Sequence, residues 1–365
     1  MSKIDKSYHD LLNEILQKGY WYDDPKRKDV KRLEIGSYTF KHDFKDGFPI
    51  LTTKKINYNN IVTELLWFLK GDTNIKYLLD NNCNIWNKDA YNYYIELCVK
   101  ENWIPYLDYS KWLEEVKKTP NWYESGIKHR NAGGQLGPIY GHQWRNFNDV
   151  DQISNLITNL KEQPLATDHI VNSWNASDLN KMALPPCHYG FQIIVRPLTW
   201  NEQIDLYCKK FNNNSLKQII LNDQGIRDIN KKLEKVEKLG FELHWQQRSV
   251  DTFLGLPYNI SSYATLALII EKLTGYKALG IQGDLKKVHL YDNSINAVEE
   301  QLSRDINKYN DVKIDYSDNF KNLNNCFTWD DITLNEFINS LEPKDIFLKD
   351  YESYSHLKVE MLERQ

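Results

Sequence analysis

The sequence predicts an α+β fold, and three observations carry that prediction. Apolar segments of helical length (61–71 and 260–274) occur beside short, strand-like apolar runs (191–195 and 241–247). No internal repeat appears, and no low-complexity linker is long enough to mark a boundary. A chain of 365 residues with 41% hydrophobic content can bury one large core. The expectation is a single domain over 1–365, with inserted segments near 91–135 and 198–240.

The elements are justified in chain order. Tyr8, Leu11, Leu12, Ile15 and Leu16 recur at helical spacing, and Gly19 follows as a stop. Residues 24–34 are dense in charge and read as a loop or strand edge, either a solvated face or an anion-binding loop. Ile61 to Gly71 is too apolar for a surface helix and carries a single acid, Glu64. An acid in such a helix is either satisfied by a buried partner or functional, because an unpaired buried carboxylate is costly. Residues 151–162 form an amphipathic helix through Ile153, Leu156, Ile157 and Leu160. Residues 198–240 are rich in Lys and Asn and read as a largely helical arm.

Composition narrows the function. Charged residues make up 26% of the chain and the formal net charge is −4, which does not suggest a nucleic-acid-coating or membrane-surface protein. The five cysteines (Cys83, Cys98, Cys187, Cys208, Cys326) are widely spaced, with no Cys-x-x-Cys pair. That pattern favours reduced thiols over a disulfide framework or a structural zinc site. No apolar signal core opens the sequence and no run approaches about 18 apolar residues, so a cytoplasmic protein without metal is expected.

Two segments carry chemistry. In Leu184-Pro185-Pro186-Cys187-His188, two prolines stiffen the approach to a cysteine at the start of a strand. Most lone cysteines are inert packing groups, so this segment alone is weak. Gln246-Gln247-Arg248-Ser249-Val250-Asp251 combines the side chains that recognise phosphates and amides, and a guanidinium near a thiol favours the thiolate. Asn259, after Gly255-Leu256-Pro257-Tyr258, offers a donor and an acceptor that match the N3–H and O4 edge of uracil.

Together with Gly47-Phe48-Pro49-Ile50-Leu51-Thr52-Thr53-Lys54-Lys55, the 64–74 segment, Gly137-Pro138-Ile139-Tyr140-Gly141 and His289-Leu290-Tyr291, these motifs stand in the order seen in the thymidylate synthase family. The resemblance covers the chain from about residue 7 to its end. It implies a large mixed sheet packed with helices, and a homodimer joined sheet to sheet. It also implies two small-molecule partners, a uracil nucleotide and 5,10-methylenetetrahydrofolate, and requires neither a membrane nor a nucleic acid. Cys187 resembles the nucleophile that attacks C6 of the pyrimidine, Glu64 the carboxylate that moves protons, and Tyr140 the tyrosine that helps deprotonate C5. Arg248 and Ser249 resemble phosphate ligands, with Arg248 also favouring the thiolate, and Gln247 belongs to the same substrate-binding segment. Asn259 resembles the reader of the base, and His289 and Tyr291 the pair on the ribose hydroxyl. For the folate, the resemblance points to Asp251 at the pterin, Trp86 as an aromatic wall, Lys54 at the glutamate tail, and Gly255 and Leu184 alongside.

Three departures stand out. Thr167 and Asp168 occupy the positions where the family carries two arginines that cross the dimer to the substrate phosphate. Each such contact is worth roughly 1.5–3 kcal/mol, so a substitute is needed, with His169 or the 26–32 run as candidates. The usual glycine-rich phosphate segment near the N-terminus is replaced by 26–32, where Arg27 and Arg32 are the candidates. Finally, the first part of His356 to Gln365 resembles the family's closing tail, and a polar extension follows where the family ends on a small apolar residue. A looser seal would admit water and give hydroxymethylation instead of methylation. A non-catalytic nucleotide-binding paralogue is the remaining alternative.

Overall fold

The computed structural model describes residues 2–102, 106–118, 133–212, 216, 223–323, 331–360 and 362. Cys326, residues 119–132 of the first inserted segment, parts of the second, and most of the last five residues lie outside them.

The chain opens with α1 (Lys3–Lys18), capped by the Ser2 side chain on the Asp5 N–H and closed at Gly19. Next come β1 (Tyr20–Asp23), β2 (Lys31–Asp43), α2 (Tyr58–Leu69), α3 (Lys76–Asp80), α4 (Asn87–Lys100) and α5 (Tyr109–Lys118). The middle holds α6 (Tyr140–Arg145), α7 (Gln152–Glu162), β3 (Ile170–Asn172), β4 (His188–Pro197), α8 (Trp200–Lys210) and α9 (Asp223–Leu233). Then follow β5 (Leu239–Gln247), β6 (Val250–Asp251), α10 (Leu256–Thr274), β7 (Lys277–Tyr291) and α11 (Ile295–Leu302). The chain finishes with β8 (Lys313–Tyr316), α12 (Asp318–Asn322), α13 (Asp331–Ser340) and β9 (Ile346–Lys349).

Among the described residues one seven-stranded sheet runs β1-β2-β7-β5-β4-β3, with β6 paired to β7. It is mixed: β5 and β6 run parallel to β7, and the other pairs are antiparallel. The fold is therefore α+β with a large mixed sheet packed by helices. The parallel β5–β7 pair requires a crossover, which α10 supplies. That helix is apolar on nearly every side and stops at Gly275, whose φ of 72° is the left-handed conformation glycine adopts freely.

The charge-rich 24–34 segment divides into a turn and the start of β2. Strand pairing is possible there because the charges find partners: Arg32 with Asp24, and Glu34 with Lys287. Residues 283–289 are part of the continuous strand β7. Two close approaches explain its glycines. A Cβ at Gly283 would lie 2.3 Å from the Trp245 ring, and one at Gly280 would lie 2.5 Å from His42 O.

The main core extends from Ile4 through α2 and α10 to Leu357. The arm has a small core of its own, from Ile204, Tyr207, Cys208, Leu216, Ile229, Leu233 and Val236.

Candidate active site

The thiol is placed by strand pairing. His188 pairs with Gln247 across β4 and β5, so the preceding Cys187 falls beside Arg248, and the Arg248 N–H donates to Cys187 O at 2.9 Å. The two prolines leave their carbonyls free as acceptors. Arg248 Nε donates to Pro186 O (2.7 Å) and Nη2 to Pro185 O (2.9 Å), which holds Nη2 4.0 Å from Cys187 Sγ. The guanidinium also lies over the Trp174 ring, 5.5 Å from its centroid. From the other side, the Cys187 N–H donates to Tyr140 Oη at 2.8 Å. Tyr140 reaches this point because Gly137 crosses the chain closely. Its φ is 72°, and a Cβ there would lie 2.0 Å from Lys181 O.

The acid stands behind an aromatic partition. Glu64, on α2, accepts from Trp86 Nε1 at 2.6 Å. The Trp86 ring meets Tyr140 edge-on at 6.1 Å, which links acid to thiol through two aromatic side chains. Burial pushes the Glu64 carboxyl up to about 7, with only the Trp86 hydrogen bond opposing it. Burial also raises the Tyr140 hydroxyl well above its ordinary value, helped by the charges of Cys187 and Glu64. His188 stacks on Tyr140 at 4.3 Å and shares a 2.8 Å hydrogen bond with Tyr263 Oη. Burial lowers the His188 imidazole to about 3, so it is neutral at physiological pH.

The recognition residues gather along β5–α10–β7. Buried Gln247 donates through Nε2 to Asn259 Oδ1 (3.1 Å) and to Ser249 O (3.2 Å). That bond fixes the Asn259 amide while leaving its own N–H groups and a second lone pair available. Asp251 Oδ1 accepts from the N–H groups of Phe253 and Leu254, which turns the chain toward α10 at Gly255. Asp251 also pairs with His289 across β6 and β7. His289 is almost fully buried, and its Nδ1 meets Lys287 O at 2.7 Å. Among the described residues its Nε2 has no partner. The ring packs edge-on against Tyr291 at 5.0 Å. Leu184 is half-buried against the core beside the thiol segment.

Arg27 and Arg32 converge on Tyr291. Arg27 Nη1 donates to Tyr291 Oη at 2.8 Å, and both guanidiniums lie over its ring, at 5.0 and 5.6 Å. Asp24, with its side chain fully buried, pairs with both. Burial raises the Asp24 carboxyl, but its bonds from Arg32 and the Lys26 N–H outweigh that and hold it below its usual value. Thr167 and Asp168 are exposed. His169 is buried with Nε2 3.1 Å from Pro164 O, so its ring faces its own loop. Lys54 is also turned inward: its ammonium donates to Phe253 O and sits 3.6 Å from the Phe253 ring centroid. Burial lowers that ammonium to about 7, with Asp251 opposing.

The family model described as thymidylate synthase matches residues 6–363. The chain belongs to the thymidylate synthase family. It is 35% identical over 361 residues to a thymidylate synthase of Mycoplasma mobile, covering 98% of this chain and 99% of that one. A thymidylate synthase of Malacoplasma penetrans is 33% identical over 353 residues, 97% and 98% of the two chains. One from Aster yellows witches'-broom phytoplasma is 38% identical over 298 residues, 82% and 85%. Family membership makes the protein an enzyme, a folate-dependent one-carbon transferase. Among the described residues no cluster of three His, Cys, Asp or Glu side chains could hold a metal ion. No helix among them is long and apolar enough to cross a membrane.

Sequence reasoning missed several members of this family site. Trp174, which no motif marked, lies under the Arg248 guanidinium. Asp24 was one charge in a dense run, and nothing local distinguished it from its neighbours. Tyr263 lies on α10 one turn beyond Asn259, a spacing that could have drawn attention to it.

Proposed function

We propose that this enzyme transfers the one-carbon unit of methylenetetrahydrofolate to C5 of deoxyuridylate and delivers it as a methyl group. The observation that carries the reading is the linked set Glu64–Trp86–Tyr140–Cys187, in which a proton-exchanging acid and a gripped thiol share one aromatic wall. Cys187 Sγ adds to C6, and the electron pair of the C5–C6 bond moves toward the O4 carbonyl, making C5 nucleophilic. The folate, when bound, supplies the carbon and the hydride. Asn259, oriented by Gln247, holds the N3–H and O4 edge, and His289 and Tyr291 take the ribose hydroxyl, with the unpartnered Nε2 of His289 available for it. Glu64 holds or releases a proton near neutrality. Trp86 and Asp251 suit the pterin, as a flat apolar face and a carboxylate.

The phosphate falls to Arg27, Arg32, Arg248 and Ser249 of the same chain. Asp24 fixes the first two, and Thr167 and Asp168 bring no cation. A second copy covers the sheet face on which Ile170 and Ile194 are 46% and 42% exposed. Methylation is favoured over hydroxymethylation because the tail is seated: Leu357 is buried, and Leu362 O accepts from Arg27 Nε at 3.1 Å.

Mass spectrometry of the product from deoxyuridylate and methylenetetrahydrofolate tests the reading. A methylated product with dihydrofolate is expected. A hydroxymethylated product with tetrahydrofolate would overturn it in favour of water addition. Cys187→Ser should form neither product nor a covalent adduct with fluorodeoxyuridylate. Turnover by that variant would remove the nucleophile from the scheme.

A further inference from the structure

The C-terminal segment is laced to the turn at 51–56, largely through main-chain groups. The Tyr354 N–H donates to Thr52 O at 2.8 Å. Tyr351 Oη donates to Leu51 O (2.6 Å) and accepts from the Ile56 N–H (3.2 Å). Farther along, Asn293 Nδ2 donates to Glu360 O, and Arg27 Nε to Leu362 O. Because Arg27 also binds Tyr291, the segment ends against the candidate phosphate site.

One side chain, remote in sequence from both partners, joins them. Arg304 lies just beyond α11. Its Nη1 donates both to Thr53 O (2.7 Å) and to Ser355 O (2.9 Å), and its Nη2 to Glu300 Oε1 (2.6 Å). The guanidinium lies 5.2 Å from the centre of the Tyr354 ring, and the side chain is 8% exposed. A planar fork can grip two carbonyls, a carboxylate and a ring face together, which an ammonium cannot. The turn it grips is itself held, by Asp5 on Thr52 and Thr53 and by Gln301 Nε2 on Thr53 Oγ1.

We propose that Arg304 is a positioning residue that clasps the C-terminal segment onto the Thr52–Lys55 turn and so closes the site around its second substrate. It acts through the segment and not on a reacting atom. The kinetic consequence rests on the folate-dependent reading above, whereas the clasp itself rests on geometry alone.

Arg304→Lys in the full chain tests both parts. Losing a two-carbonyl bridge should speed amide exchange at Tyr354 about tenfold, with exchange in α10 unchanged. The KM for methylenetetrahydrofolate should rise about tenfold, while that for the nucleotide stays within about twofold. Unchanged exchange at Tyr354 would overturn the clasp. Faster exchange with an unchanged folate KM would overturn its role in closure. If the wild-type enzyme showed no folate-dependent turnover, the functional reading would fail, while the exchange result would still decide the clasp. Should Arg304→Lys not fold, Glu300→Gln loosens the same guanidinium while keeping both carbonyl bonds. It should shift exchange in the same direction by less, and no shift would overturn the proposal.

Discussion

Asp5 and Glu64 are both acids set among apolar neighbours on adjoining parts of the core, and they are treated in opposite ways. Asp5 has no exposed surface and accepts from the N–H and the hydroxyl of Thr52 and of Thr53, at 2.7–3.0 Å. Glu64, among the described residues, accepts one hydrogen bond, from Trp86. A carboxyl whose acceptor positions are filled as in Asp5 serves as frame. Burial pushes the Glu64 carboxyl, with one donor opposing, up to about 7, where it can exchange a proton at working pH. The difference lies in the donors each helix meets, since the acids themselves are chemically equivalent.

The sharpest way to break this contrast is to neutralise Glu64 while keeping its shape. Glu64→Gln should lower kcat by about 10²–10⁴-fold, with stability at or above wild type. Full turnover in steady-state assays would place proton handling elsewhere. On the other side, Asp5→Ala strands four buried donors and should cost about 3–5 kcal/mol in chemical denaturation. A loss below about 1 kcal/mol would mean that the turn holds itself. A smaller effect sharpens the comparison. For Glu64 the folded value, about 7, lies above the ordinary one. Its contribution to stability is therefore fully present below about 4.5 and is lost as pH rises to about 7. Glu64→Gln should match wild type near pH 4 and exceed it at pH 8 by on the order of 2–3 kcal/mol in pH-dependent unfolding. Parallel stability curves would show that the carboxyl is not held protonated by the fold.

The same contrast marks what could be read in the sequence. Glu64 was visible because a lone acid in an apolar helix is a local anomaly, and Cys187 because two prolines and a strand frame it. Asp5 was not, since its partners lie 47 and 48 residues away and its immediate surroundings look like any helix start. Arg304 was hidden for the same reason, bridging main-chain groups 251 and 51 residues distant. Helix α7 was legible from periodicity and α10 from the length of its apolar run, both of which are local. The start of β2 was legible only as a loop or strand edge and β7 was not legible, because Arg32, Glu34 and Lys287 look like loop charges until strand pairing supplies their counterions.

The crossover β5–α10–β7 has a consequence for heredity. Gln247, Arg248, Asp251, Asn259, His289 and Tyr291 all fall within residues 239–291, whereas Cys187 and Glu64 lie upstream. Under the proposed roles the readers of base and sugar thus share one contiguous stretch of gene, which also carries Arg248 beside the thiol, while the phosphate candidates Arg27 and Arg32 lie upstream. A recombination event that exchanges this stretch would carry the reading of base and sugar together, and would spare the thiol only if an arginine is kept at 248.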